Sequence, residues 1–126
     1  MIPRIDAVMI DTSAYHKKQC DFAGITNSII PMLLQLLRAN NIKLLAHPIL
    51  TKEIKKHIGQ SELISRVDNF QAALKKYNKQ LQMIGTSAEE LIRKAETLNI
   101  EKQLITCFES FYKDAIIIPD ANVNDV

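Results

Sequence analysis

The sequence predicts an α/β fold: a short parallel sheet that carries a long α-helical hairpin. Three observations predict it. Short apolar runs at 5–10, 42–46 and 115–118 stop at polar or proline residues, a leucine-rich stretch joins the first two, and a heptad pattern with a return segment fills 61–113. With 126 residues and 47% hydrophobic side chains, the chain has the length of one domain and can bury a core, which excludes a disordered tail. Three glycines and four prolines are too few for a turn-rich all-β domain. A net charge of +2 excludes a histone-like polycation but permits local phosphate binding, because patches decide that. No apolar run approaches the roughly 20 residues of a membrane span. The opening Met1-Ile2-Pro3-Arg4-Ile5-Asp6 lacks the apolar region of a secretory signal. Cys20 and Cys107 form no close-spaced pair, so no disulfide framework is expected and a cytoplasmic location is.

Residues 5–10 (Ile-Asp-Ala-Val-Met-Ile) read as a buried strand stopped by Asp11-Thr12-Ser13. A charged stretch leads to Gly24. Thr26, Asn27 and Ser28 then offer N-caps for a helix to about Ala39, with Pro31 tolerated only in its first turn. Ile29, Ile30, Met32, Leu33, Leu34, Leu36 and Leu37 cover most of its circumference, so burial on all sides is expected. Asn40-Asn41 ends the helix, and 42–46 is the second strand. His47-Pro48 breaks that strand, and a helix from about Leu50 to Ile58 closes on Gly59 as its C-cap. Strand, helix, strand, helix with short connections implies parallel pairing and right-handed crossovers.

The charge balance changes near Gly59-Gln60. Residues 1–60 carry eight Lys/Arg against four Asp/Glu, and 61–126 carry eight against ten. A single domain is expected, with an α/β part (1–60 and 114–126) and a helical hairpin (61–113). Leu63, Val67, Phe70, Leu74, Tyr77, Leu81 and Ile84 alternate spacings of four and three, an a/d seam along a helix of roughly 30–35 Å that Gly85 ends. Ser87 and Glu90 form a capping box for the return helix. Its inner face is Leu91, Ala95, Leu98, Ile105, Phe108 and Tyr112, with a kink near Asn99 where Lys102 interrupts the pattern. Such stripes read first as core packing, although a long seam can also recruit a partner helix. Residues 115–118 (Ala-Ile-Ile-Ile) are the third strand, expected to be buried and stopped by Pro119-Asp120. Three strands make a thin sheet for this many apolar residues, so the domain is expected to be incomplete at its C-terminus.

Sites in an open parallel sheet form outside the carboxyl ends of the strands. Asp11 follows the first strand and Glu53 lies in the helix after the second, so strands about 5 Å apart could bring both carboxylates to one cation. Grouped carboxylates repel each other; a hard divalent ion, Mg²⁺ or Mn²⁺, relieves that cost and takes the oxygen ligands it prefers. Thr12 and Ser13 add hydroxyls that can orient a ligand or a metal-bound water. Lys17, Lys18, Lys52 and Lys56 stand near the acids in sequence and suit the phosphates of a phosphodiester. The plainer readings are a strand-end Asp, a solvated Glu and an ordinary lysine face. His16, His47 and His57 lack metal-ligand spacing, and His47, before a proline, reads as structural. Cys20 has no visible partner base for a thiol nucleophile. The sequence contains no Walker loop, GxGxxG or GxSxG motif.

The segment VMIDTSAY at 8–15 resembles the opening strand and first acidic motif of PIN-domain nucleases. IIPMLLQLLRANNIKLLAHPILTKEIKKHIG at 29–59 is similar to the helix, strand and acidic helix that follow in that fold. AIIIPDANVNDV at 115–126 is similar to the region after a long helical insertion in one PIN-like branch. The resemblance implies a three-layer α/β sandwich around a short parallel sheet. It implies cleavage of single-stranded RNA by a water that Mg²⁺ or Mn²⁺ activates, with Asp11 and Glu53 as catalytic metal ligands. Thr12 and Ser13 match the polar residues after the first acid. A toxin or an RNA-processing component is the implied setting. The family carries a further Asp, commonly in an Asp-Ala pair that opens a later helix. Asp120-Ala121 has those letters but follows a strand too early, so the third acid is expected beyond residue 126, with Asp120 and Asp125 as stand-ins. A truncated or inactive form, a homo-oligomer, or completion by a partner chain follows from that departure; no membrane role does. The competing reading is a non-catalytic interaction module that works through the hairpin, and a weaker one is a phosphatase or receiver-like domain with Asp11 as phosphoacceptor.

Overall fold

The computed structural model describes residues 5–119. Its elements are β1 (Ala7–Met9), α1 (Thr12–His16), α2 (Ile29–Ala39), β2 (Lys43–Ala46), α3 (Pro48–Gly59), α4 (Glu62–Met83), α5 (Glu89–Thr97), α6 (Ile100–Phe111) and β3 (Ile116–Ile117). The strands are parallel in the order β1-β2-β3, so the expected mixed α/β class with a short parallel sheet is present. No helix among the described residues is long and apolar enough to cross a membrane.

Val8 pairs with Leu44 and Ala46 with Ile117, so the pleat sets these side chains on one face and Met9, Leu45 and Ile116 on the other. Leu44 and Ala46 are buried under helices, whereas Met9 and Ile116 are exposed. Among the described residues, the core cluster takes Val8, Leu44 and Ala46 from one face of the sheet, and the other face carries the exposed Met9 and Ile116. β3 corrects the buried-strand expectation: Ile116, Ile117 and Ile118 are all exposed, Ile117 although it shares the face of Leu44 and Ala46.

Helix α2 is buried on one side only. Ile30 and Leu37 face the core, while Ile29, Met32 and Leu36 on the opposite side are exposed, because none of the described elements covers it. Asn41, with φ 55°, supplies the left-handed residue that turns the chain from α2 into β2. Gly59 does not act as the C-cap: α3 runs through it and ends on Gln60.

The hairpin differs most from expectation. Leu63 is buried and Val67, Leu74 and Leu81 are half-buried, as the apolar pattern predicts, but the positions between them in the covered seam are filled by Ile64, Gln71 and Asn78. Phe70 and Tyr77 lie off it, 58% and 52% exposed, and Ile84 is exposed too. Asn78 occupies a seam position because it caps the next helix: its Oδ1 accepts from the Ala88 N–H at 2.7 Å. Ser87 Oγ accepts from the Glu89 N–H at 3.1 Å, but Glu90 turns to Lys94 at 3.6 Å instead of closing a capping box. The return segment is two helices. They part at Leu98-Asn99, where Asn99 Oδ1 caps α6 through the Lys102 N–H at 3.0 Å. Leu91 and Leu98, placed on the inner face from sequence, are exposed. Helix α6 belongs to the α/β core: Leu104 is fully buried, and Ile100, Leu104 and Phe108 join Leu44, Ile54 and Ile58 in one cluster.

That core closes on an aromatic knot of Tyr15, Phe22, Phe108, Phe111 and Tyr112. The hydroxyls of Tyr15 and Tyr112 lie 2.6 Å apart. Burial pushes the Tyr112 phenol up to about 12 and raises Tyr15 as well, helped by the neighbouring phenol. The folded state thus keeps both phenols protonated while the unfolded chain releases protons above its ordinary value of 10.0. Their contribution is complete below pH 10 and is lost as pH rises from there toward 12. In an ultraviolet titration of a Tyr77→Phe chain, the remaining phenolate absorbance is expected to appear together with the loss of helical circular dichroism. Phenolate absorbance that develops while helicity stays intact would contradict this.

Candidate active site

The site begins with strand register. Met9 is in register with Leu45, so two residues on, Asp11 leaves β1 opposite His47 leaving β2, with the strands about 4.8 Å apart. Asp11 is the N-cap residue of α1, with extended backbone (φ −64°, ψ 144°). Its carboxylate makes no cap bond to the helix and instead accepts from Ser13 Oγ at 2.8 Å. His47 caps α3: its Nδ1 accepts from the Leu50 N–H at 3.2 Å, and Pro48 stands at the first helical position, where a missing N–H costs nothing. Glu53 lies farther along α3 and receives a long 3.5 Å contact from the buried Thr12 hydroxyl. Met9, Ile10, Asp11, His47, Ile49, Leu50 and Glu53 line one open pocket of about 400 Å³.

Four of the expected site residues, Asp11, Thr12, Ser13 and Glu53, therefore meet at the carboxyl ends of two adjacent strands. The lysines are arranged differently. Helices α1 and α3 lie side by side and run the same way, with Thr12 against Glu53 at one end and the His16 and His57 rings 4.6 Å apart at the other. Lys17, Lys18 and Lys56 fall at that far end, and Lys52 is next to Glu53 in the chain. All four are exposed and none lines the pocket. His57 Nδ1 is buried with no hydrogen-bond partner among the described residues. The Cys20 thiol is buried and pushed up to about 11 by that burial, which suits an inert side chain, as its lack of a partner base suggested.

Sequence reading missed two residues. His47 is structural in capping α3, but it also lines the pocket; its register with Asp11 was the available signal. Asp21, completely buried, is the other: it accepts from the Ile25 and Thr26 N–H groups at 2.8 Å each, from Thr26 Oγ1 at 3.0 Å and from the Asn27 N–H at 3.2 Å. A buried carboxylate bonded this way is committed to structure and holds the loop before α2. The Thr26-Asn27 pair five and six residues on was its sequence signal.

Two carboxylates and two hydroxyls on one rim are hard oxygen donors, and Mg²⁺ is commonly held by one or two carboxylates while it keeps several waters. The donor set fits such an ion. Among the described residues, no group of three or more His, Cys, Asp or Glu side chains is placed to hold a metal. Asp120 and Asp125, the stand-ins for a third acid, lie outside the described residues. Comparison of the chain with protein-family models, curated proteins and solved structures finds no match.

Proposed function

We propose that the chain is a PIN-like, metal-dependent endoribonuclease domain that hydrolyses phosphodiester bonds of single-stranded RNA at the Asp11–Glu53 pocket. One observation carries the reading: carboxylates from two separate strand–helix units line one pocket at the carboxyl ends of adjacent parallel strands. Asp11 and Glu53 would hold Mg²⁺ or Mn²⁺, which when bound supplies an activated water and offsets charge on the phosphate. Thr12 and Ser13 hold the two carboxylates through their hydroxyls. Lys52, and the Lys17, Lys18 and Lys56 group one turn along the paired helices, offer phosphate contacts away from the scissile bond, which suits a substrate several nucleotides long. The exposed Ile29, Met32 and Leu36 of α2 support the homo-oligomer that the reading includes, with a completing partner chain as the other occupant of that surface. The test is incubation of the full chain with a panel of single-stranded RNAs, with and without Mn²⁺. Cleavage confined to the metal-containing arms supports the reading, and a folded chain that leaves every RNA intact sinks it.

A non-catalytic interaction module is favoured by one observation, the exposure of Phe70 and Tyr77 one heptad apart on α4. On that reading, Phe70→Glu combined with Tyr77→Glu is expected to abolish association, read by light scattering and by pull-down, with less than about 1 kcal/mol lost in stability. Leu74→Lys is the wrong probe, because Leu74 sits in the covered seam and its loss would damage folding first. Association unchanged in the double variant would discard the module.

A further inference from the structure

We propose that His47 is a substrate-binding residue of this pocket, whose Nε2–H donates a hydrogen bond to an anionic oxygen of the phosphodiester held against Asp11 and Glu53. The inference rests on the ribonuclease reading and goes beyond it, since the resemblance to the nucleases assigns this position no role.

The Leu50 N–H donates to Nδ1 at 3.2 Å, so Nδ1 must present a lone pair and the ring proton belongs on Nε2. The cap therefore fixes both the tautomer and the ring's orientation. His47 is half-buried and lines the pocket opposite Asp11. Among the described residues, Nε2 has no hydrogen-bond partner and is not sealed from solvent. The donor inventory of the pocket decides the assignment. The Asp11 and Glu53 carboxylates act as acceptors; the Ser13 and Thr12 hydroxyls already donate to them; and no lysine lines the pocket. A phosphate needs donors, and Nε2–H is the one side-chain donor this lining presents. A cation on the two carboxylates would take one side of the phosphate and leave another oxygen for the ring.

Two substitutions separate the ring's two nitrogens. His47→Asn keeps an acceptor where Nδ1 caps α3 and removes the distal donor. His47→Gln keeps an N–H donor near the position of Nε2 and removes the cap. The inference predicts that His47→Asn keeps the wild-type thermal midpoint, loses on the order of 10- to 100-fold in Mn²⁺-dependent cleavage, and binds labelled single-stranded RNA more weakly in fluorescence anisotropy with Ca²⁺. His47→Gln is expected to melt earlier while retaining most of the cleavage measured well below its midpoint. The reverse pattern, with His47→Asn as active as wild type and His47→Gln losing activity in step with its stability, makes His47 a cap alone and overturns the inference while the nuclease stands. A wild type that neither cleaves nor binds RNA brings down both.

Discussion

Replacing Asp11 by Asn is expected to abolish metal-dependent RNA cleavage, with a loss of at least about 100-fold, and to leave the thermal midpoint in place. The two halves of that expectation have separate physical grounds. Stability is spared because the carboxylate is exposed, makes no cap bond to α1, and has as its bonding partner an equally exposed Ser13 hydroxyl that an amide oxygen can still receive. Activity is lost because an amide is a neutral and weaker ligand for a hard cation. The loss is large because no third acid among the described residues can take up the coordination. Glu53→Gln should behave alike, and the double variant should be little worse than either, since two ligands of one ion act as a unit. Single-turnover cleavage with and without Mn²⁺, beside a circular-dichroism melt, measures both halves. An Asp11→Asn chain that cleaves at the wild-type rate would assign the cleavage to something other than this pocket.

The parts of this site that were legible in the sequence are those that topology dictates. A polar stop after an apolar run, repeated across a leucine-rich helix, places Asp11 and Glu53 at one sheet edge whatever the details of packing. What was not legible depends on which neighbours exist. Helix α2 is apolar nearly all round, yet Ile29, Met32 and Leu36 stay exposed because none of the described elements packs on that side. In α4 the apolar pattern found Leu63, Val67, Leu74 and Leu81, but the covered seam between them takes Gln71 and Asn78, while Phe70 and Tyr77 face out. Asn78 sits there to cap α5, a tertiary task that leaves no mark on periodicity. Helix α1 went unread because five residues starting directly after a strand are too few to show a period. His47 and Lys17 failed in opposite ways. His47 looked like a strand breaker and lines the pocket, while Lys17 looked close to Asp11 and is carried by α1 to its far end.

Asp21 shows why proximity in sequence does not give two aspartates one role, and Asp21→Ala is expected to be the most damaging of these polar substitutions to the fold. Gln19 and Cys20, with φ 58° and 52°, occupy the left-handed region without being glycines, a conformation that costs of order 1–2 kcal/mol per residue. That turn delivers the Asp21 carboxylate to the interior, where it gathers three backbone N–H groups and the Thr26 hydroxyl. Its bonds thus hold a strained turn on one side and the loop into α2 on the other, next to Phe22 in the aromatic knot. Hydrogen bonds to a charged acceptor are worth about 1.5–3 kcal/mol each. Ile25 and Thr26 lie at the surface, so water recovers part of the loss when the carboxylate goes. The net cost of Asp21→Ala is expected to be about 3 kcal/mol, which for a chain of this length lowers the thermal midpoint by roughly 10 °C. Asp21→Asn keeps one acceptor oxygen and should lose about half as much. Urea and thermal unfolding followed by circular dichroism read both values, and RNA cleavage well below the midpoint should be retained, the opposite of Asp11→Asn. If Asp21→Ala melted with the wild type, the carboxylate would be a passenger in a turn held by other contacts, of which the 2.7 Å bond from Ser61 Oγ to the Gln19 carbonyl is the first to test.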